Sequence, residues 1–208
     1  MTTSAPPGTI AVLDYGIGNL RSAERALSHV GAAARLVTDP SDVEGASGVV
    51  LPGVGSFGPC AAALAATGLG AAARRAIDAG VPFLGICVGF QLLYDGSEEA
   101  PGVPGLGLFP GTVRRLSGKV KVPQMQWNVL RPRRRSGLFE GLGDAPWVYF
   151  VHSYAPEEGP ETAATCEYGG TVAAAAESGA LWGTQFHPEK SGATGLAMLS
   201  NFVARCGA

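Results

Sequence analysis

The feature of this sequence that most constrains its fold is the alternation of short apolar runs with segments of helical periodicity. Thr9–Leu13 (TIAVL), Ala34–Val37, Gly48–Leu51 (GVVL), Pro82–Ile86 (PFLGI) and Leu181–Phe186 (LWGTQF) are largely apolar without a polar alternate face. A strand of that kind must be covered on both sides, as in a mostly parallel sheet packed between helices. Between the runs, Asn19–Val30 places Leu20, Ala23, Leu27 and Val30 at helical spacing and stops at Gly31. Cys60–Asp78 reads as two alanine-rich helices split near Gly68-Leu69-Gly70, and Val88–Asp95 begins another. Ala193–Cys206 closes the chain as a helix, with Leu196, Leu199, Phe202 and Val203 turned inward. Gly107–Leu116, Val120–Met125, Trp147–His152, Ala163–Tyr168 and Val172–Glu177 are shorter strand candidates, read as antiparallel additions to the sheet. The expected fold is α/β, with a mixed, mostly parallel central sheet flanked by helices and antiparallel additions in the second half. Residues 1–208 are expected to form one domain, with 1–8 a disordered N-terminal extension.

Composition excludes several functions. With 46% hydrophobic and only 15% charged residues the chain is too apolar to be disordered. A net charge of −2 lacks the positive field of a nucleic-acid binder. There is no apolar stretch of about 18 residues to cross a membrane, and the N-terminus lacks the basic and apolar regions of a secretory signal. A cytoplasmic protein with reduced thiols is therefore expected. The run Arg131–Arg135 (RPRRR) reads as a solvated basic loop. The four cysteines, Cys60, Cys87, Cys166 and Cys206, have no metal-type spacing, and no metal or cofactor is expected.

Cys87 stands apart from the other three. It ends an apolar strand, precedes a helix, and has Gly85 and Gly89 two residues away on either side. This is the layout of a nucleophile elbow. The glycines clear a sharp strand-to-helix turn that leaves the cysteine strained and exposed at the carboxyl edge of the sheet. A helix N-terminus favours thiolate, and the N–H of Val88 points toward an oxyanion formed on the attacked carbon. A thiol nucleophile needs a base, and His187 follows the last strand, so it emerges at the same sheet edge. Glu189, held two residues on by Pro188, supplies a carboxylate to orient the imidazole. Leu51-Pro52-Gly53-Val54-Gly55 ends another strand at that edge, and the N–H groups of Gly53 and Val54 offer the second half of an oxyanion site. Each motif alone has a plainer reading: a packed cysteine, a surface His-Glu pair, an ordinary glycine loop. Their joint occurrence favours chemistry.

Gly85-Ile86-Cys87-Val88-Gly89 with Gln91, together with Phe186-His187-Pro188-Glu189-Lys190-Ser191, resembles the class I, triad-type glutamine amidotransferases. Four further segments are similar to the glutaminase-subunit family of imidazole glycerol phosphate synthase. They are Tyr15-Gly16-Ile17-Gly18-Asn19-Leu20-Arg21-Ser22, Pro52-Gly53-Val54-Gly55, Lys121-Val122-Pro123 with Trp127-Asn128, and Val151-His152-Ser153-Tyr154. The likeness runs from about Thr9 to Arg205. It implies that Cys87 attacks glutamine, that His187 is general acid and base, and that Glu189 orients it. It implies oxyanion donors at Gly53, Val54 and Val88, and a glutamine pocket with Gln91, Ser153 and Tyr154. The implied partner is a (βα)8-barrel cyclase that uses the ammonia to make imidazole glycerol phosphate and AICAR in histidine biosynthesis. Asn19, Ser22, Trp127, Asn128 and Lys190 match positions near that interface. Where the family commonly has Pro-His-Met-Gly-Trp-Asn, this chain has Pro123-Gln124-Met125-Gln126-Trp127-Asn128, a departure that bears on the interface and not on the triad. The competing readings are a triad glutaminase serving another synthase, a non-catalytic subunit that kept the fold, and a free-standing cysteine hydrolase.

Overall fold

The computed structural model describes residues 8–207; most of the extension expected at 1–8 lies outside them. In chain order the elements are β1 (Thr9–Leu13), α1 (Leu20–His29), β2 (Ala33–Val37), β3 (Gly48–Gly53), α2 (Phe57–Ala66), α3 (Leu69–Asp78), β4 (Phe83–Cys87) and α4 (Val88–Gln91). They continue as β5 (Gly96–Ser97), β6 (Thr112–Arg115), β7 (Gln124–Val129), β8 (Arg131–Pro132), β9 (Trp147–His152) and β10 (Tyr154–Pro156). The last are β11 (Thr162–Glu167), β12 (Thr171–Ser178), β13 (Leu181–Thr184) and α5 (Gly192–Arg205).

The central sheet has the order β2-β1-β3-β4-β13-β12-β11-β8. The pairs β2/β1, β1/β3, β3/β4 and β4/β13 are parallel, and the last three strands join antiparallel. Every residue of β1, β3, β4 and β13 is buried, as continuous apolar strands require when helices cover both faces. α1 buries Ala23, Ala26 and Leu27 and stops where Gly31 takes φ +96°. Gly68, at φ +72°, divides α2 from α3. α5 buries Leu199, Phe202 and Val203 as expected, and also Met198, while Leu196 is only half-buried.

Not all of the later strands extend the main sheet. β11, β12 and β8 do, but β6 pairs with β10 and β5, and β7 pairs only with β9 as a separate antiparallel ribbon. α4 is also shorter than its periodicity suggests. The carbonyls of Leu92 and Leu93 receive the N–H groups of Leu106 and Leu108 at 2.7 Å, so the chain returning from the β5 turn takes the acceptors a longer helix would use. The basic run is exposed, yet it is not simply a loop. Arg131–Pro132 forms the edge strand, where a missing N–H is tolerated, and the Arg134 guanidinium donates to the carbonyls of Pro160, Glu161 and Glu177. No helix among the described residues is long and apolar enough to cross a membrane.

Candidate functional site

The parallel register brings β3, β4 and β13 to a common carboxyl edge, with Gly53 directly beside Cys87. Cys87 ends β4 immediately before α4, at φ 57°, ψ −112°, the one non-glycine with positive φ among the described residues. A conformation so sparsely populated costs about 1–3 kcal/mol, so the surroundings must impose it. The glycines show how. A Cβ on Gly89 would overlap the Leu51 carbonyl of β3, and one on Gly85 would sit 2.9 Å from the Gly89 oxygen and the Phe90 Cα. A Cβ on Gly183 of β13 would enter the Phe90 ring. Bare backbone at these three points lets α4 press onto the strand ends and turns the chain sharply at Cys87.

The cysteine is not exposed as its place in an elbow suggests: it is 4% accessible and is reached through a cavity of about 360 Å³. That cavity is at the small end of the range for small-molecule sites. Its walls include Val54, Val88, Gln91, Glu99, Ser153, Tyr154, His187 and Lys190. Cys87 Sγ lies 3.8 Å from Gln185 Nε2 and 4.0 Å from the Val151 carbonyl.

His187 follows the last parallel strand, where a 3-10 turn over Pro188–Lys190 brings Glu189 back onto it. Glu189 Oε1 lies 2.7 Å from His187 Nδ1, and both side chains are almost fully buried. Burial alone would depress the imidazolium, but the Cys87 sulfur and the Glu189 carboxylate outweigh it and raise its pKa to about 9. The second Glu189 oxygen is buried without a hydrogen-bond partner, so the charge opposite it is what compensates this carboxylate. β9 fixes the backbone here. The His187 N–H donates to the Tyr149 carbonyl at 3.0 Å, while the Ser191 hydroxyl donates to the His187 carbonyl and accepts from the Tyr149 N–H.

The carbonyls on either side of the Gly53–Val54 peptide are both held. Tyr15 Oη donates to the Pro52 carbonyl at 2.7 Å, and the Cys60 thiol donates to the Val54 carbonyl at 3.3 Å. Burial pushes the Tyr15 hydroxyl well above its ordinary range and also raises the Cys60 thiol, so both remain neutral donors at pH 7.

A second histidine, His152, lines the same cavity from β9. Its Nδ1 donates to the Tyr154 carbonyl at 2.8 Å, and its Nε2 meets the Gln124 side-chain amide at 2.9 Å. Burial depresses its pKa to about 4, the Tyr154 hydrogen bond only partly offsetting this and the charge of His187 adding to it. The neutral ring then accepts at Nε2, which requires Gln124 to present its NH2 there. Gln124 thus fills the place of the family histidine by partnering His152.

Of the residues assigned by resemblance, Cys87, His187 and Val88, with Gln91, Ser153 and Tyr154, meet around the cavity; Val54 joins them at the wall and Gly53 lies just behind. Trp127 is 47% accessible on the ribbon, edge-on to Tyr149 and near Gly192. Asn128 points to the other face, where its amide donates to the Glu167 carbonyl at 3.0 Å. Asn19 and Ser22 stand at the start of α1, away from the cavity lining. Sequence reasoning missed Glu99, which lines the cavity and accepts the Phe57 N–H of α2 at 2.7 Å, and it missed Gln185. The signal for Gln185 was period-two spacing: two residues before His187 on extended chain, it faces the same side.

A strained cysteine at a strand-to-helix turn, sharing a small cavity with a buried histidine–glutamate pair on an α/β sheet, is the kind of arrangement that thiol-dependent acyl transfer needs. The chain belongs to the class-I glutamine amidotransferase family, whose model matches residues 11–206. Among its relatives, the imidazole glycerol phosphate synthase subunit HisH of Moorella thermoacetica is 47% identical over 195 residues, 93% of either chain. The HisH subunit of Deinococcus radiodurans is 50% identical over 197 residues, 93% of this chain and 92% of that one. A solved glutamine amidotransferase structure superposes with a TM-score of 0.76 at 21% identity, covering 96% of this chain and 99% of its own. PurLQS from Thermotoga maritima gives 0.75 at 22% identity, covering 96% and 99%. At such identities these two speak to the fold alone.

Proposed function

We propose that this chain is the glutaminase subunit of an imidazole glycerol phosphate synthase, a single amidotransferase domain acting in histidine biosynthesis. The observation that carries this reading is the Cys87, His187 and Glu189 constellation at a cavity with room for glutamine, in a chain about half identical to HisH subunits over nearly its whole length.

Glutamine enters with its carboxamide over Cys87. Its α-ammonium faces Glu99, and Gln91, Ser153 and Tyr154 hold the amino-acid end. The Cys87 sulfur attacks the amide carbon while His187 holds the thiol proton. The oxyanion is met by the N–H of Val88 and by the Gly53–Val54 peptide. Collapse of the tetrahedral adduct breaks the C–N bond, and His187 delivers its proton to the departing nitrogen, releasing ammonia. Water, deprotonated by His187, then cleaves the thioester, giving glutamate and restoring the sulfur. Throughout, Glu189 supports the imidazolium.

Ammonia lost to solvent is wasted, so the partner is a (βα)8-barrel cyclase that takes it directly and makes imidazole glycerol phosphate and AICAR. Its docking face is the ribbon side on which Met125, Trp127 and Trp147 stand 60%, 47% and 54% exposed. Asn19, Ser22 and Lys190 lie toward that interface, and Asn128 braces the ribbon from behind. The isolated chain is nearly silent because the Gly53–Val54 peptide must rotate to aim its N–H at the oxyanion, between neighbouring peptides that the Tyr15 and Cys60 hydrogen bonds hold in place. The test is glutamine hydrolysis by the chain alone, with the cyclase, and with cyclase plus its nucleotide ligand. Activity rising in that order supports the reading, whereas full activity of the isolated chain points to a free-standing hydrolase.

A further inference from the structure

Gln185 is completely buried, yet its side chain meets only another amide and a sulfur. Gln91 Nε2 lies 2.9 Å from the Tyr154 carbonyl and 3.1 Å from Gln185 Oε1. A carbonyl only accepts, so Gln91 must turn its NH2 toward both neighbours. Gln185 therefore turns its oxygen to Gln91 and its own NH2 to Cys87 Sγ, 3.8 Å away. The direction of this chain is set at its far end by a backbone group and does not depend on the sulfur. The Gln185 backbone is itself pinned, its N–H donating to the Ala174 carbonyl at 2.8 Å. We infer that Gln185 is a further catalytic group, a fixed N–H donor that holds the Cys87 sulfur as an anion before attack and receives it when the thioester breaks. This rests on the glutaminase reading above.

The chemistry favours that role over simple packing. A buried amide costs free energy unless its hydrogens find good acceptors, and a neutral thiol is a poor one. A thiolate is a good one, so the site is better satisfied with the sulfur charged than neutral. Other groups facing the sulfur do different work. His187, backed by Glu189, carries a proton that moves. Tyr15 and Cys60 are committed to the Pro52 and Val54 carbonyls, and His152 is held neutral by Tyr154 and Gln124. Glu99 and Lys190 flank the cavity with opposite charges. Gln185 exchanges no proton. In acylation the S–C bond forms, the C–N bond breaks and His187 supplies the leaving proton, while Gln185 gives up its hydrogen bond to a sulfur that no longer carries charge. In deacylation the S–C bond breaks and that hydrogen bond re-forms.

The test uses the full chain with Gln185→Met, which keeps the length and loses the donor. The rate of Cys87 alkylation by iodoacetamide is followed from pH 5 to 10 by peptide mass spectrometry, with Cys87→Ser as the blank. Glutamine hydrolysis is measured with the cyclase bound. The midpoint of the alkylation profile should move to higher pH, with about a tenfold loss of rate at pH 7, the scale of one hydrogen bond to a charged group. Turnover should fall about tenfold while KM stays within about twofold, since the sulfur and not bound glutamine has lost its partner. An alkylation profile superimposable on that of the unmodified chain overturns the inference. Should Gln185→Met fail to fold, Gln185→Leu is read the same way, since it also lacks the donor and brings no charge to the sulfur. Alkylation needs no glutamine, so absence of glutaminase activity in the parent chain would count against the functional reading and leave the Gln185 contact separately measurable.

Discussion

Two buried histidines face the same cavity, and their protons are controlled in opposite ways. His187, at the end of the parallel sheet, is lifted to a pKa of about 9; His152, on the ribbon, is held down near 4. Burial acts downward on both, so burial does not distinguish them. The partners do: a carboxylate and a thiol at His187, a carbonyl and an amide at His152. A charged or ionisable neighbour makes a proton carrier, and neutral neighbours make a hydrogen-bonded strut. The stability consequences also differ in sign. His187 binds its proton more tightly folded than unfolded, so its contribution is full below pH 6.5 and drains away as pH rises through 9. His152 refuses a proton that the unfolded chain accepts, so stability is lost as pH falls from 6.5 toward 4.

The contrast can be broken from either side. Cys87→Ala removes both the nucleophile and one of the two groups lifting His187; glutamine hydrolysis with the cyclase present should fall by at least about a thousandfold. Glu189→Gln removes the other. Turnover should drop about a hundredfold with glutamine affinity little changed, and the His187 proton resonance should titrate at lower pH. Unchanged turnover would remove Glu189 from the mechanism. Gln124→Glu attacks the opposite wall by giving His152 a carboxylate. If partner charge is what separates the two histidines, His152 should titrate about two units higher by NMR; a value still near 4 would mean that burial alone governs it. The smallest effect concerns stability. Between pH 7 and pH 5 the unmodified chain should lose roughly 2 kcal/mol more than His152→Gln in urea unfolding, and parallel pH curves would remove His152 as the cause.

The parallel half of the fold was legible because its information is local. Four fully buried strands announce themselves as continuous apolar runs, and the elbow announces itself because Gly85 and Gly89 are steric necessities two residues from Cys87. That His187 could meet Cys87 across 100 positions was readable only through the sheet, since both follow strands whose ends share one edge. The second half was less legible because pairing partners there are chosen by tertiary context. Nothing in Gln124–Val129 says that it pairs with Trp147–His152 apart from the main sheet, and nothing in Val88–Asp95 says that Leu106 and Leu108 will take its helical acceptors. The burial of Cys87 and the service of Gln185 were hidden for the same reason. Each depends on what lies opposite in space.

The positive φ at Cys87 has an evolutionary consequence. At that angle glycine is the residue the backbone would choose, so the fold and the chemistry make opposing demands on one position. Cys87→Gly should tolerate heat better than Cys87→Ala, because it relaxes the turn while both abolish the thiol. Where ammonia production no longer holds the cysteine in place, nothing in the turn opposes its replacement by glycine.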